Sequence, residues 1–349
     1  MKKLFSTIIC CLICSTAFMQ VKPEWQDETI PFVGKEYPRT AFMTYSDVNK
    51  ARSNDFNTST DYKSLNGKWK FNWVSSYKKR PVNFYKTNFD DSTWEEIDVP
   101  ANWEVNGYGN ALYTNHPYEF CPRNPQPPLL PEENPVGSYR KYIEIPEQWN
   151  GKEIFLHIGA VKSGCYLYVN GTKVGYSEDS KDAVEYNITR YLKLGRNLIA
   201  LEVYRWSTGS YLECQDFWRI SGIERDVYLF AQLPLHLRDF SIRQDLDSTY
   251  KNGLFGLDLF MENTNPRQPG QVTVFYQLEN TSGTRVAEGT QTIKIDSATT
   301  VHFEAKIPQV APWTAETPNL YQLFIRIEQP GKTTEVIPFR VGFRKLEIR

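Results

Sequence analysis

Cys165-Tyr-Leu-Tyr-Val169, then Asn170-Gly171, then Thr172-Lys-Val-Gly-Tyr176, is the stretch on which the fold turns. Asn-Gly supplies the two positive φ angles of a tight two-residue turn, so the runs on either side are predicted to form an antiparallel hairpin. Working outward, the same period of two recurs. Trp69, Phe71 and Trp73 alternate with Lys70 and Asn72, and Ile154, Leu156 and Ile158 alternate with Phe155 and His157. Ile199, Leu201 and Val203 follow, and Val227 with Leu229 closes the set. No amphipathic helix of useful length interrupts these runs, which makes this half of the chain all-β.

Gln232-Leu233-Pro234 reads as a junction, because a second series of strands starts after it. Phe255 to Met261, Val272 to Leu278, Val301 to Ile307, Tyr321 to Ile327 and Ile337 to Phe343 each alternate. Turn-rich segments separate them, at 263–270, 280–283 and 329–331. Short strands at this spacing over roughly 110 residues are what a seven-stranded sandwich requires. Ahead of both series, Pro23 to about Leu65 is polar and aperiodic, as an arm wrapped over a domain would be. At 349 residues the chain suits two domains, with boundaries at 24–232 and 234–345.

Lys+Arg 40 against Asp+Glu 41 leaves a net charge of -1, so nothing draws the chain toward nucleic acid or an anionic membrane. Aromatic residues are 14% of the chain, suited to β-structure and to stacking on sugar rings. Lys2-Lys3 followed by the apolar run Leu4 to Cys14 reads as a secretory leader, too short to span a bilayer, with cleavage near Ala17. That implies export, to the periplasm; the alternative is a lipid anchor on Cys14. Three cysteines of the six remain outside the leader, Cys121, Cys165 and Cys214. An odd number without a C-x-x-C pair argues for packing thiols over a disulfide framework or a zinc site.

The richest motif is Val203-Tyr-Arg-Trp-Ser-Thr-Gly-Ser-Tyr-Leu-Glu-Cys-Gln-Asp-Phe-Trp-Arg-Ile-Ser-Gly-Ile-Glu-Arg-Asp-Val-Tyr-Leu229. With it stand Val99-Pro-Ala-Asn-Trp103, Gly107-Tyr108, Tyr113-Thr-Asn115, Glu133-Asn-Pro-Val-Gly137 and Gly175-Tyr-Ser-Glu-Asp-Ser-Lys181. Together they resemble the N-terminal half of the lacZ-type β-galactosidases of glycoside hydrolase family 2. Pro312-Trp313, Pro318-Asn-Leu-Tyr321 and Val341-Gly-Phe-Arg344 are similar to the same family's immunoglobulin-like domain. The resemblance covers residues 24 to 349.

It implies a galactose-binding-like jelly-roll sandwich, an immunoglobulin-like sandwich, and then a (β/α)₈ barrel carrying the two catalytic carboxyl groups. Such a barrel needs around 250 residues, so it is expected beyond residue 349, with the family's magnesium or calcium site. No catalytic acid or nucleophile is therefore nominated here. By the resemblance, Asn115 reaches the barrel mouth to hydrogen-bond galactose hydroxyls, and Asp216 contacts the galactose 6-hydroxyl and helps bind sodium. An amide suits a neutral polyol and a carboxylate suits a hard cation.

Other readings stay open. Asn115 as a turn residue would satisfy local backbone, and Asp216 as half of a buried ion pair would face Arg219, Arg205 or Arg225. Trp103, Trp206 and Trp218 are expected in the core. Beside the galactosidase stand a free-standing carbohydrate-binding protein and the front of a β-glucuronidase or β-mannosidase. The oligomeric state is open, a homo-oligomer included.

Overall fold

The computed structural model describes residues 22–348, so the expected leader at 1–17, Cys14 included, lies outside the described residues. In the first sandwich a seven-stranded sheet runs in the order Phe32–Val33, Thr172–Ser177, Gly164–Val169, Arg196–Tyr204, Val136–Glu144, Gly67–Val74, Glu95–Val99. Against it packs a four-stranded sheet ordered Val184–Asn187, Glu153–Ile158, Val227–Gln232, Tyr62–Ser64. Asn170 (φ 50°) and Gly171 (φ 88°) form the predicted turn, pairing Val169 with Thr172 and Tyr166 with Tyr176. Trp69, Leu156, Leu167, Leu201 and Leu229 meet between the sheets, with Cys165 among them. Among the described residues Cys121, Cys165 and Cys214 are all free thiols.

The strand Arg196–Tyr204 is buried on both faces, which a two-layer sandwich alone does not explain. The N-terminal arm covers its second face: Trp25 stacks on Tyr204 at 4.7 Å, in an aromatic cluster with Tyr166 and Tyr176. Farther on, the arm forms a short helix, Val48–Ser53, which the Asp47 side chain caps by accepting from the Lys50 amide. Phe42 enters the core of the second sandwich, and Tyr45 bridges to Val336 in it. The arm is a strap between the two sandwiches.

The second sandwich has a three-stranded sheet, Leu235–Leu246, Gly253–Asn263, Ala298–Ile307, and a four-stranded sheet, Arg285–Ile295, Gly270–Glu279, Tyr321–Glu328, Glu335–Val341. Five of these seven strands coincide with the alternating runs. The other two carry a weaker pattern for physical reasons. Leu235–Leu246 shifts register between Leu237 and Asp239, which breaks its period. Arg285–Ile295 is an edge strand whose residues are mostly exposed, so little apolar alternation is needed. Among the described residues, no helix is long and apolar enough to cross a membrane.

Candidate functional site

At one end of the first sandwich a small ladder joins Leu112–Thr114 to Phe217–Arg219. It pairs Leu112 with Arg219, Tyr113 with Trp218 and Thr114 with Phe217. Residues directly opposite one another share a face, so Tyr113 and Trp218 lie together and Thr114 and Phe217 lie on the reverse. Carried one residue further, the same register sets Asn115 across from Asp216, on the face of Tyr113 and Trp218. The two residues singled out from sequence, about a hundred positions apart, are therefore neighbours, and both are exposed.

Tyr113 and Trp218 pack edge to face at 5.6 Å, and the Tyr113 hydroxyl donates to Asp216 Oδ1 at 2.8 Å. The carboxylate in turn holds the Tyr113 phenol above its ordinary pKa. Asp216 Oδ2 makes no hydrogen bond within the described residues. The face thus presents one carboxylate oxygen, one free amide and two half-exposed aromatic rings. Those groups match a neutral polyol, whose hydroxyls need donors and acceptors and whose C–H faces need an apolar wall.

A buried scaffold holds this face in place. Glu104, at the start of a single 3-10 turn, accepts from the Ser221 amide at 2.8 Å and pairs with Arg205 at 3.1 Å. Burial raises the Glu104 carboxyl pKa against the pull of both partners. Arg205 donates onward to the carbonyls of Asn110 and Arg219, one from each side of the ladder. Arg219 pairs with Glu119 at 3.5 Å and donates to the carbonyls of Glu213 and His116. The Trp206 indole donates to Glu119 at 2.9 Å, while Asn134 exchanges two hydrogen bonds with the Trp206 backbone. Cys214 joins in, its thiol donating to the Ser210 carbonyl at 3.1 Å.

This geometry bears on three expectations. Asp216 is not half of a buried ion pair: it is exposed, Arg205 and Arg219 face other carboxylates, and Arg225 donates to the Lys181 carbonyl. The Asn115 side chain makes no hydrogen bond to local backbone among the described residues, and the His116 amide takes the Thr114 hydroxyl instead. Trp218 leaves the core group, at 52% exposed, whereas Trp103 is fully buried and Trp206 half-buried. The signal for Trp218 was present in the sequence: Asp216, Trp218 and Tyr113 follow the period of two that puts them on one face once the strands are paired.

As a cation ligand, Asp216 offers one hard oxygen. Among the described residues no group of three His, Cys, Asp or Glu is placed to hold a metal ion, so no cluster of those side chains completes a site around Asp216.

The fold is a β-sandwich with a polar and aromatic face at the Leu112–Thr114 and Phe217–Arg219 ladder, followed by an immunoglobulin-like sandwich. Residues 62–234 match the glycosyl hydrolases family 2 sugar binding domain, and residues 235–344 match glycosyl hydrolases family 2. The chain belongs to glycosyl hydrolase family 2. It is 36% identical over 333 residues to a β-galactosidase of Priestia megaterium, covering 94% of this chain and 32% of that protein. A β-galactosidase of Halalkalibacterium halodurans is 38% identical over 288 residues, covering 82% of this chain and 28% of the relative. The chain thus spans about a third of the length of the curated relatives it matches. Among solved structures, a Bacteroides uniformis β-glucuronidase superposes with a TM-score of 0.66 at 22% identity, covering 81% of this chain and 32% of that one. A family 2 member from Bacteroides cellulosilyticus gives 0.62 at 22% identity, covering 81% and 36%. At that identity the likeness speaks for the fold.

Proposed function

We propose that this chain is the substrate-facing front of a β-galactosidase, presenting Asn115 and Asp216 to a terminal β-galactoside held by a (β/α)₈ barrel on further polypeptide. The observation that carries the proposal is the convergence of Asn115, Asp216, Tyr113 and Trp218 on one outward face, in a chain whose curated relatives are β-galactosidases. In retaining glycosidases two carboxyl groups about 5–5.5 Å apart do the chemistry, one as acid/base and one as nucleophile. In this proposal both belong to the barrel. Asn115 and Asp216 bind and orient hydroxyls, and the free oxygen of Asp216 is the sodium ligand contributed from this side.

The test is a hybrid in which this chain replaces the matching front third of the Priestia megaterium enzyme. Hydrolysis of a chromogenic β-galactoside by the hybrid, with none by the 349-residue chain alone, is the expected pair of results. A hybrid that folds and cleaves a β-glucuronide in preference would instead favour the glucuronidase reading. Turnover that co-purifies with the isolated chain would mean that a catalytic pair sits in these sandwiches.

Export completes the proposal, motivated by Lys2-Lys3 and the apolar run after them. Mass spectrometry of the secreted product is expected to find an N-terminus near Phe18. A retained Met1 would overturn it, and a lipid on Cys14 would replace cleavage near Ala17 with anchoring.

A further inference from the structure

The reverse face of the Phe217–Arg219 strand borders a cleft of about 270 Å³, whose walls include Lys162, Asp182, Glu213, Gln215, Phe217 and Arg219. Lys162 is only 8% exposed, and its ammonium has no hydrogen bond or ion pair among the described residues. Desolvation lowers its pKa, as it does for a buried amine without a partner. Glu213 Oε1 accepts the Ser180 amide at 2.8 Å, while Oε2 is buried with no partner. The Lys162 ammonium thus has only the cleft and its solvent to donate to, while Glu213 Oε2 at the wall stays unmade and sealed from that solvent, which is costly. Phe217, 51% exposed, supplies an apolar wall.

We propose that this cleft is a second sugar site, in which a neutral polyol accepts from Lys162, donates to Glu213 and lays its C–H face on Phe217. The remaining lining groups argue for a neutral ligand over an anionic one. Arg219 is committed to Glu119, Lys181 to Glu224, and Asp179 lies 3.9 Å from Lys35. That leaves Lys162 facing the carboxylates of Glu213 and Asp182, which repel a uronate or a phosphate. Lys181 narrows one side, its ammonium 5.3 Å from the centre of the Phe217 ring. Because alternate residues of one strand point to opposite faces, the strand separates this cleft from the Asn115–Asp216 face, and the two sites are distinct.

The proposal does not depend on galactosidase activity, so a silent hybrid would leave it standing. Its test uses this chain alone, with saturation-transfer NMR against galactose, lactose and glucuronate. Galactose or lactose is expected to bind with an affinity on the order of millimolar. Lys162→Met and Glu213→Gln are each expected to weaken that binding about tenfold or more, because each removes one charge-assisted hydrogen bond. Thermal melts establish that the variants fold, and if Lys162→Met does not, Glu213→Gln decides. Absence of transfer from both neutral sugars overturns the proposal. So does binding unchanged in the folded variants, loss confined to Asp216→Asn, or a preference for glucuronate.

Discussion

Asp216 keeps one carboxylate oxygen in reserve because Tyr113 occupies the other. An aspartate on an exposed strand end would otherwise sample several rotamers; the phenol's hydrogen bond fixes one, and the same bond raises the phenol's own pKa. In the hybrid enzyme, Asp216→Asn is expected to raise KM for a galactoside about tenfold and to blunt the response to sodium. The amide keeps the shape but loses the charge that the proposed role gives to both the hydroxyl and the cation. Tyr113→Phe, which frees the carboxylate without removing it, is expected to show a smaller loss of the same kind. Steady-state kinetics with and without sodium measures both, and a folded Asp216→Asn variant with unaltered KM and sodium response would exclude the assigned role. At this scale Asn115 and Asp216 were legible only through the motifs around them. Neither residue type nor spacing distinguishes a ligand from a turn residue or an ion pair. What the sequence could not supply was the pairing of Thr114 with Phe217, a contact between segments about a hundred residues apart that sets the two residues side by side on one exposed face.

The elements around the site show why the motif residue Gly222 is a glycine. The two-residue strand Gly222–Ile223 is pinned on both sides, to Ala101–Asn102 and to Val161–Lys162. Gly222 has φ +117°, and a Cβ there would lie 2.6 Å from the Ala101 carbonyl oxygen. That atom is backbone and cannot swing away. Gly222→Ala is therefore expected to cost about 1–3 kcal/mol and to lower the melting temperature by several degrees. Gly283→Ala, at φ +80° with open space around the added carbon, carries the backbone strain without the clash and is expected to cost less. Calorimetry on the two variants gives the comparison, and equal losses would show that the close approach to Ala101 does not matter. Alternation exposed the interior strands of the second sandwich because one face of each is buried and the other is less so, and it exposed Arg196–Tyr204 through its apolar inner face although both faces of that strand are buried. It missed Leu235–Leu246 and Arg285–Ile295, where a register shift and an exposed edge remove the pattern at its source. The absence of a period marked the arm itself, but not that Phe42, Met43 and Tyr45 would meet both sandwiches.

Across the whole molecule the strap joins the two sandwiches through shared buried contacts. Met43 and Tyr45 share a buried cluster with Phe155 and Tyr228 of the first sandwich and Phe324 and Val336 of the second. Arg52 on the short helix pairs with Glu279 at 2.7 Å. In this junction Glu335 is almost fully buried, with Oε1 lacking any hydrogen-bond partner. Burial, reinforced by the nearby Asp61 carboxylate and only partly offset by Lys152, raises its pKa from 4.5 to about 8. Asp61 itself is held by the Lys152 ammonium at 2.5 Å, so it does not relieve Glu335. The sign follows from proton counts. Between about pH 4.5 and pH 8 the folded chain keeps a proton on Glu335 that the unfolded chain has released, so this group makes stability fall as pH rises through that window. Above pH 8 the contribution levels off, and below pH 4.5 it vanishes. Glu335→Gln replaces the neutral acid by a neutral amide of the same shape and carries no proton to lose. The melting temperature of the wild-type chain is therefore expected to decline more steeply than that of Glu335→Gln between pH 5 and pH 8. The two curves should then run parallel at higher pH, with the variant the more stable. Differential scanning fluorimetry across that range decides it, and superimposable slopes would mean that Glu335 is ionised in the folded junction and that water or a cation reaches it.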